Sequence, residues 1–164
     1  MRIQFKPIIP PRPNMTELDR EMMAGISEVR ERAVSYMRAT IAFWDQKPKV
    51  NRKTHRDRGS ISFEVWIEDE VYTYLNDGVA GRIIYAVNAQ ALSFRSQYTA
   101  KTTPRVLRNR RGGSSGDRIA RKYVNWPGIE PRNFEATVSD AIEKDVSIVE
   151  FYIERGVSGT GYGA

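Results

Sequence analysis

Three short segments of the sequence contain residue types that could do chemistry. The single histidine, His55, lies two residues before Asp57, a spacing that would suit an acid/base or metal-binding pair. Six lysines and arginines surround it in residues 47–58, and their positive charges repel metal cations. We therefore interpret His55 as a solvated loop histidine and expect no catalytic residue and no metal ligand there.

The other two segments imitate functional motifs in composition only. The carboxylates Glu68, Asp69 and Glu70 are consecutive, and consecutive residues of a strand point to opposite faces, so they cannot converge on a metal ion as in nucleases. We interpret them as an acidic turn between a strand and a helix. The Gly- and Ser-rich segment 112–116 lacks the Lys-Ser or Lys-Thr that follows a phosphate-binding loop. The sequence predicts a protein that is not an enzyme, with no cofactor and no small-molecule substrate.

Positive charge is concentrated in two segments of the chain. The net charge is +6, yet residues 101–122 alone carry +7 and residues 47–58 carry +5, which leaves −6 for the remainder. This distribution indicates an acidic body with two basic loops, which can attract nucleic-acid phosphates, dock on an acidic protein surface or simply aid solubility. The candidate DNA-facing or interface residues are Lys101, Arg105, Arg108, Arg110, Arg111, Arg118 and Arg121.

The elements that position these residues predict an α+β fold, and the N-terminal half is the clearer part. Four prolines in residues 1–14 predict an extended arm, whose Phe5, Ile8 and Ile9 we expect to dock on the subunit or a neighbour. A long helix is predicted from residue 16 to about 43, because apolar residues recur at helical spacing. They are Leu18, Met22, Ile26, Val29, Ala33 and Tyr36.

Two further segments complete the N-terminal half. The polar, basic segment 47–59 predicts a loop, whereas residues 61–67 alternate between apolar and polar side chains and predict a half-buried strand. Residues 69–77 predict a short helix or turn that ends at Gly78, because glycine adopts a positive φ at little cost. No run of about 20 apolar residues occurs, so we expect no membrane partner.

The C-terminal half predicts a long hairpin followed by a helix. Strands are expected at residues 82–87 and 91–103, a flexible tip at 104–117 and a returning strand at 118–126, so that a basic excursion spans about 97–122. An apolar stripe from residue 134 to 153 predicts a last helix, although residues 147–153 are β-branched enough to form a strand instead.

The expected organisation is simple. It comprises the arm 1–14, a single domain 15–155 and a flexible Gly-rich tail 156–164. The absence of cysteine excludes disulfides and thiolate metal sites.

Two short motifs carry a resemblance to a known family. Residues 71–78 place aromatic side chains before a Leu-Asn-x-Gly stop, and residues 127–134 read Pro-Gly-Ile-Glu-Pro-Arg-Asn-Phe. After a long amphipathic helix, they resemble the tail-completion or neck proteins of long-tailed bacteriophages, in which a Pro-Arg-Pro-Phe element begins the C-terminal helix. The matching positions are Tyr74, Leu75, Asn76, Gly78, Pro131, Arg132 and Phe134.

The resemblance covers residues from about 15 to 154 and departs from the family pattern in three places. Val79 and Ala80 follow Gly78 where the family has a threonine, and Asn133 replaces the second proline. The excursion at 97–120 is also longer than is typical of the family. The first two departures therefore lie in or directly beside the two motifs, and the third lies between them.

The resemblance implies a fold and a function. The fold would be an antiparallel sheet flanked by a long N-terminal helix and a C-terminal helix. Several copies, expected to be six, would form a ring in the virion neck between the head-closure ring and the tail tube, assembled in the host cytoplasm. The partners would be other copies of the chain, adjacent neck, head-closure and tail proteins, and DNA bound in the lumen without regard to sequence.

Some roles of the motif residues follow from local physical chemistry and not from the resemblance, and other functions stay open. Tyr74, Leu75 and Phe134 are expected to pack in the core. Arg132, in the expected first turn of the last helix, opposes the helix dipole and should have a carboxylate or phosphate partner. The alternatives are a tail terminator ring, a free nonspecific DNA-binding protein and, least favoured, a small nuclease.

Overall fold

A computed structural model describes residues 2–5, 15–57, 60–107 and 112–159 of the chain. Five positions singled out above lie outside these residues: Ile8, Ile9, Arg108, Arg110 and Arg111. For Phe5, the structure describes the backbone and not the side chain. The remaining candidate residues are all described.

The predicted α+β class is confirmed, with antiparallel strand pairing, a long N-terminal helix and helical structure at the C-terminal end. The described strands form three ladders rather than one sheet: a three-stranded sheet in the order β1-β3-β2, and two two-stranded ladders, β4-β7 and β5-β6. The elements in chain order are β1 Arg2–Phe5, α1 Met15–Thr40, β2 Val50–Asp57, β3 Ser60–Ile67, α2 Glu70–Asp77, β4 Val79–Tyr85, β5 Leu92–Thr99, β6 Gly113–Arg121, β7 Tyr123–Ile129, α3 Phe134–Glu143 and α4 Val146–Gly159.

The chain forms two compact units, whereas the sequence suggested one domain over 15–155. The first unit combines Met1–Arg38, Lys49–Ile67 and Glu135–Ala164, and the second combines Ala39–Pro48 with Glu68–Phe134. The first therefore contains the three-stranded sheet and most of α1. The second contains α2 and the two remaining ladders.

The core of the first unit matches the predicted periodicities. On α1 the whole predicted stripe is buried except Tyr36, which is half-buried and donates a hydrogen bond from its hydroxyl to Asp145 Oδ2 at 2.9 Å. The apolar positions of β3 are also buried, as the alternation predicted. They are Ile61, Phe63, Val65 and Ile67.

The prediction of a loop at residues 47–59 is wrong, because residues 50–57 of this segment form β2. This strand pairs with β3 along its full length, from Val50 opposite Ile67 to Asp57 opposite Ser60. Its polar side chains do not alternate with apolar ones, because they contact polar groups of α1 instead of entering the core. Arg52 pairs with Glu31, Arg56 pairs with Asp19, and Arg30 donates to Thr54 Oγ1.

The last apolar stripe forms two helices rather than one. α3 ends at Glu143 and α4 begins at Val146, so the β-branched segment 147–153 is helical and the alternative of a strand is wrong. α4 continues to Gly159, so residues 156–159 of the expected flexible tail are helical. Gly156 allows α4 to approach α1 closely, because a Cβ at this position would lie 3.1 Å from the Cα of Leu18.

The second unit contains the hairpin excursion, with altered boundaries. β6 begins at Gly113, so residues 113–117 of the expected tip belong to a strand, and residues 113–115 pair with β5. The expected returning strand at 118–126 is divided at Lys122: residues up to Arg121 pair with β5, and residues from Tyr123 pair with β4.

Candidate assembly and nucleic-acid interface

The two motifs that carry the family resemblance meet in the second unit. The backbone N–H of Arg132 donates to the carbonyl oxygen of Leu75 at 2.9 Å, and the N–H of Asn133 donates to that of Asn76 at 3.1 Å. Gly78 has φ 80°, and a Cβ added there would lie 2.8 Å from Pro131 Cδ. We call this region, residues 75–78 with 131–133, the motif junction.

Pro131 and Arg132 precede the last helical region instead of forming its first turn, because α3 begins at Phe134. The Arg132 side chain is largely buried, with 12% of its surface exposed. Its Nε donates to the buried Thr102 Oγ1 at 3.1 Å, and its Nη1 lies 3.8 Å from Glu130 Oε2. Arg132 therefore has the expected carboxylate partner, Glu130, and in addition a closer hydroxyl partner, Thr102.

The aromatic residue that packs at the motif junction is Tyr72, not Tyr74. Tyr72 and Phe134 are each 1% exposed, and their ring centroids lie 5.4 Å apart, which confirms the core role predicted for Phe134. Tyr74 is 49% exposed, so its predicted core role is wrong. Its hydroxyl donates to Glu70, and this hydrogen bond raises the pKa of Tyr74 above its ordinary value. Leu75 is half-buried.

The N-cap of α2 explains why Tyr72 and not Tyr74 points inward. The Asp69 side chain accepts a hydrogen bond from the backbone N–H of Tyr72 at 2.8 Å, which fixes where the helix starts. Successive residues of a helix point in directions about 100° apart, so Tyr74 lies far round the helix from Tyr72. Recognising Asp69 as the cap would have fixed the start of the helix from the sequence, and the helical spacing would have shown that Tyr72 and Tyr74 cannot share a face.

The basic candidates of the excursion do not all share one environment. Lys101 Nζ pairs with Asp45 Oδ2 of its own chain at 3.0 Å, so its charge is used within the subunit. Arg105, Arg118 and Arg121 are exposed, and no carboxylate of the described residues lies within 4.0 Å of them. Arg105 also has a left-handed backbone, with φ 57°.

One arginine belongs to this group that the sequence analysis missed. Arg95 on β5 lies directly opposite Arg118 on β6 in the antiparallel register. Both side chains are exposed. The basic segment defined from the sequence begins at residue 101 and so leaves out Arg95, which strand pairing places beside that segment. The alternation of residues 92–99, read together with 113–121, was the signal that could have identified it.

The β4-β7 ladder exposes an apolar face. Tyr85 and Tyr123 are directly opposite each other, with ring centroids 6.1 Å apart and exposures of 61% and 60%. Ile83, two residues before Tyr85 and therefore on the same face, is 51% exposed. We call these three residues the apolar ladder face. The sequence analysis assigned them no role beyond strand formation.

A cavity of about 470 Å³ in the second unit is lined by Trp44, Leu75 and Tyr98 among other residues. Three charged groups belong to its lining, and each has a partner in the chain. Asp45 and Lys101 pair with each other, and Asp69 caps α2. The cavity therefore offers no unpaired charge to a ligand.

The remaining chemical candidates have structural surroundings. His55 is a half-buried residue of β2 whose Nε2 lies 3.4 Å from Glu64 Oε2, so its interpretation as a solvated loop residue is wrong. In the described parts of the chain, His, Asp and Glu side chains form no group of three or more that could hold a metal ion. Across the same residues, no helix is both long enough and apolar enough for a membrane span.

Comparisons of the chain with protein-family models, with curated proteins and with solved structures find no match. Three features bear on the function: the motif junction, the apolar ladder face and the basic hairpin, by which we mean the β5-β6 hairpin together with Arg105.

Proposed function

We propose that this protein is a structural subunit of a homo-oligomeric, hexameric ring in the neck of a long-tailed bacteriophage. The ring would complete the tail by joining the head-closure ring to the tail tube around the path of the DNA. The observation that carries the proposal is the motif junction. The two segments that resemble the family lie about 50 residues apart in the sequence, yet a backbone hydrogen bond joins Arg132 to Leu75.

The apolar ladder face supports a role in assembly. Exposed tyrosines side by side, next to Ile83, are typical of protein–protein contacts, in which tyrosine is enriched. A ring needs two complementary surfaces on each subunit, because a heterologous contact repeats around the symmetry axis until it closes. We assign the apolar ladder face to one side of that contact.

The basic hairpin supports the same role by its charge. Arg105, Arg118 and Arg121 are exposed and unpaired with carboxylates of the described residues, unlike the arginines of β2. Their charges are available to a neighbouring subunit, an adjacent ring or DNA. The acids of the first unit, such as Glu31 and Asp19, are already paired with β2.

The test is ring formation by the purified protein. Mass photometry and negative-stain microscopy should detect rings for the wild type and subunits for the double variant Tyr85→Ser/Tyr123→Ser. Phe151→Ser is the matched control, because Phe151 is an equally exposed aromatic residue of the first unit, at 58%. A wild type that forms no ring, alone or on tail tubes, would overturn the proposal, as would equal losses in both variants.

A second experiment separates the alternatives. Added to tail tubes, a neck subunit should bind finished tubes, whereas a tail terminator should also stop tube growth and fix tube length. A free DNA-binding protein should form a tight complex with DNA as a monomer at physiological salt. A submicromolar monomer–DNA complex without ring formation would therefore favour that rival.

A further inference from the structure

One face of the β5-β6 hairpin is polar except for Ala120. Alternation along the paired strands places Ser93, Arg95, Gln97 and Thr99 of β5 on this face. Opposite them are residues 115, 118 and 120 of β6. Two contacts confirm the shared face: Arg118 Nε donates to Ser93 Oγ at 2.9 Å, and Ser115 Oγ donates to Gln97 Oε1 at 3.4 Å. All seven side chains are exposed, and we call them the polar ribbon face.

Two like charges lie opposite each other on the polar ribbon face. Arg95 and Arg118 are direct cross-strand neighbours, an arrangement that is destabilising unless an anion neutralises it. Among the described residues their hydrogen-bond acceptors are neutral, since Arg95 Nη1 donates to the carbonyl oxygen of Gly116 at 3.2 Å and Arg118 donates to Ser93. The one acid of the two strands, Asp117, alternates onto the opposite face.

The chemistry of the polar ribbon face matches a phosphate backbone. Guanidinium groups bind phosphates in a bidentate manner, and Ser, Thr and Gln side chains are the usual neutral donors to phosphate oxygens. The face contains no carboxylate to repel a polyanion. It also contains no aromatic residue on which unpaired bases could stack, because Tyr98 alternates onto the opposite face.

We propose that the polar ribbon face binds the phosphate backbone of double-stranded DNA independently of sequence, with Arg95 and Arg118 as its charged contacts. A two-stranded ribbon has the width to lie along a groove of the duplex, where the phosphates of both strands flank it. This inference rests on the proposed function, which supplies the duplex in the lumen. The inference adds to the proposed function by assigning the DNA contact to the polar ribbon face and by including Arg95.

The test is fluorescence anisotropy of a labelled random-sequence duplex, titrated with the full-length protein at several salt concentrations from about 50 mM upward. In Arg95→Gln/Arg118→Gln we expect about tenfold or more weaker binding. The slope of log K against log salt should become shallower by roughly two, since each neutralised phosphate contributes about 0.9. An unlabelled single strand should compete less well than the duplex.

The control is Arg52→Gln/Arg56→Gln, which removes the same charge from arginines that are paired with acids of their own subunit. It should change affinity by less than about threefold and leave the slope unchanged. Equal effects of the two double variants, or a wild type that does not bind duplex at low salt, would overturn the inference.

Ring formation by the same variants separates this inference from the proposed function. If Arg95→Gln/Arg118→Gln binds DNA like the wild type but no longer forms rings, the face is a protein contact, and the inference fails while the proposed function stands. If the wild type binds DNA through this face and forms no rings, the proposed function fails alone. Circular dichroism should show that both variants are folded, because the four arginines are exposed.

Discussion

The backbone N–H of Asn133 donates to the carbonyl oxygen of Asn76 at 3.1 Å, while Asn133 itself has φ 51°. Proline could neither donate this hydrogen bond nor adopt this backbone angle, because its nitrogen carries no hydrogen and its ring holds φ near −65°. The family pattern has proline at this position. The departure at Asn133 is therefore a difference in backbone geometry as well as in residue type.

Asn133→Pro should destabilise the protein by about 3 kcal/mol, because it removes the hydrogen bond to Asn76 and forces a different backbone angle. Asn133→Gly is the control, since glycine keeps the N–H and accepts a positive φ, and we expect a change of less than about 1 kcal/mol. Urea denaturation of both variants measures the difference. A well-tolerated proline would mean that residue 133 can adopt the family's conformation.

Gly78→Ala should lower the melting temperature clearly, because a methyl group at φ 80° would meet Ile129 O and Pro131 Cδ at 2.8 Å. The control is Ala80→Ser, at an exposed position of β4, and the expected change is small. Differential scanning calorimetry compares the two. Equal melting temperatures would show that the motif junction is not tightly packed.

Phe134→Ala should cost roughly 3–5 kcal/mol of unfolding free energy, the usual value for a fully buried phenylalanine. Its loss leaves the ring of Tyr72 without its neighbour at 5.4 Å. Phe151→Ala, at a 58% exposed site, should cost less than about 1 kcal/mol. A Phe134 variant with unchanged stability would contradict the burial described for this side chain.

The pH dependence of stability should report on Tyr36. Its hydrogen bond to Asp145, together with partial burial, raises the pKa of Tyr36 in the folded protein, whereas an unfolded tyrosine ionises near pH 10. Above about pH 10 the unfolded state loses this proton while the folded state keeps it, so the free energy of unfolding falls until the pH passes the raised pKa.

Tyr36→Phe should lower stability at neutral pH and make this alkaline decline shallower. Urea denaturation at a series of pH values tests both effects. Asp145→Asn keeps an acceptor but removes the charge, and should give an intermediate slope. The same slope in wild type and Tyr36→Phe would show that this tyrosine does not ionise differently in the two states.

The sequence predicted the elements whose side chains enter a core. The helical spacing of apolar residues in α1 and the apolar–polar alternation in β3 were predicted correctly, because the side chains that are buried in these elements are apolar. β2 was missed because its inward positions are arginine and threonine, which contact α1 through Glu31, Asp19 and Arg30. A pattern method that scores apolar residues has no signal for a strand whose side chains on both faces are mainly polar.

The candidate site was predictable only in part. The motif segments were found from residue types, but their hydrogen bonding to each other depends on a chain reversal that no local pattern encodes. Arg95 was missed because its proximity to Arg118 arises from strand register. The bulge between Arg95 and Gln97 sets that register, and a slip by one residue would move Arg95 to the opposite face.

The basic composition of β2 has a consequence for the unassembled subunit. β2 is an edge strand of its sheet, and an edge with free backbone groups can recruit strands from other chains and start aggregation. The exposed Lys53 makes such an approach between identical copies electrostatically unfavourable. A charged sheet edge of this kind therefore protects the subunit from aggregation at high concentration.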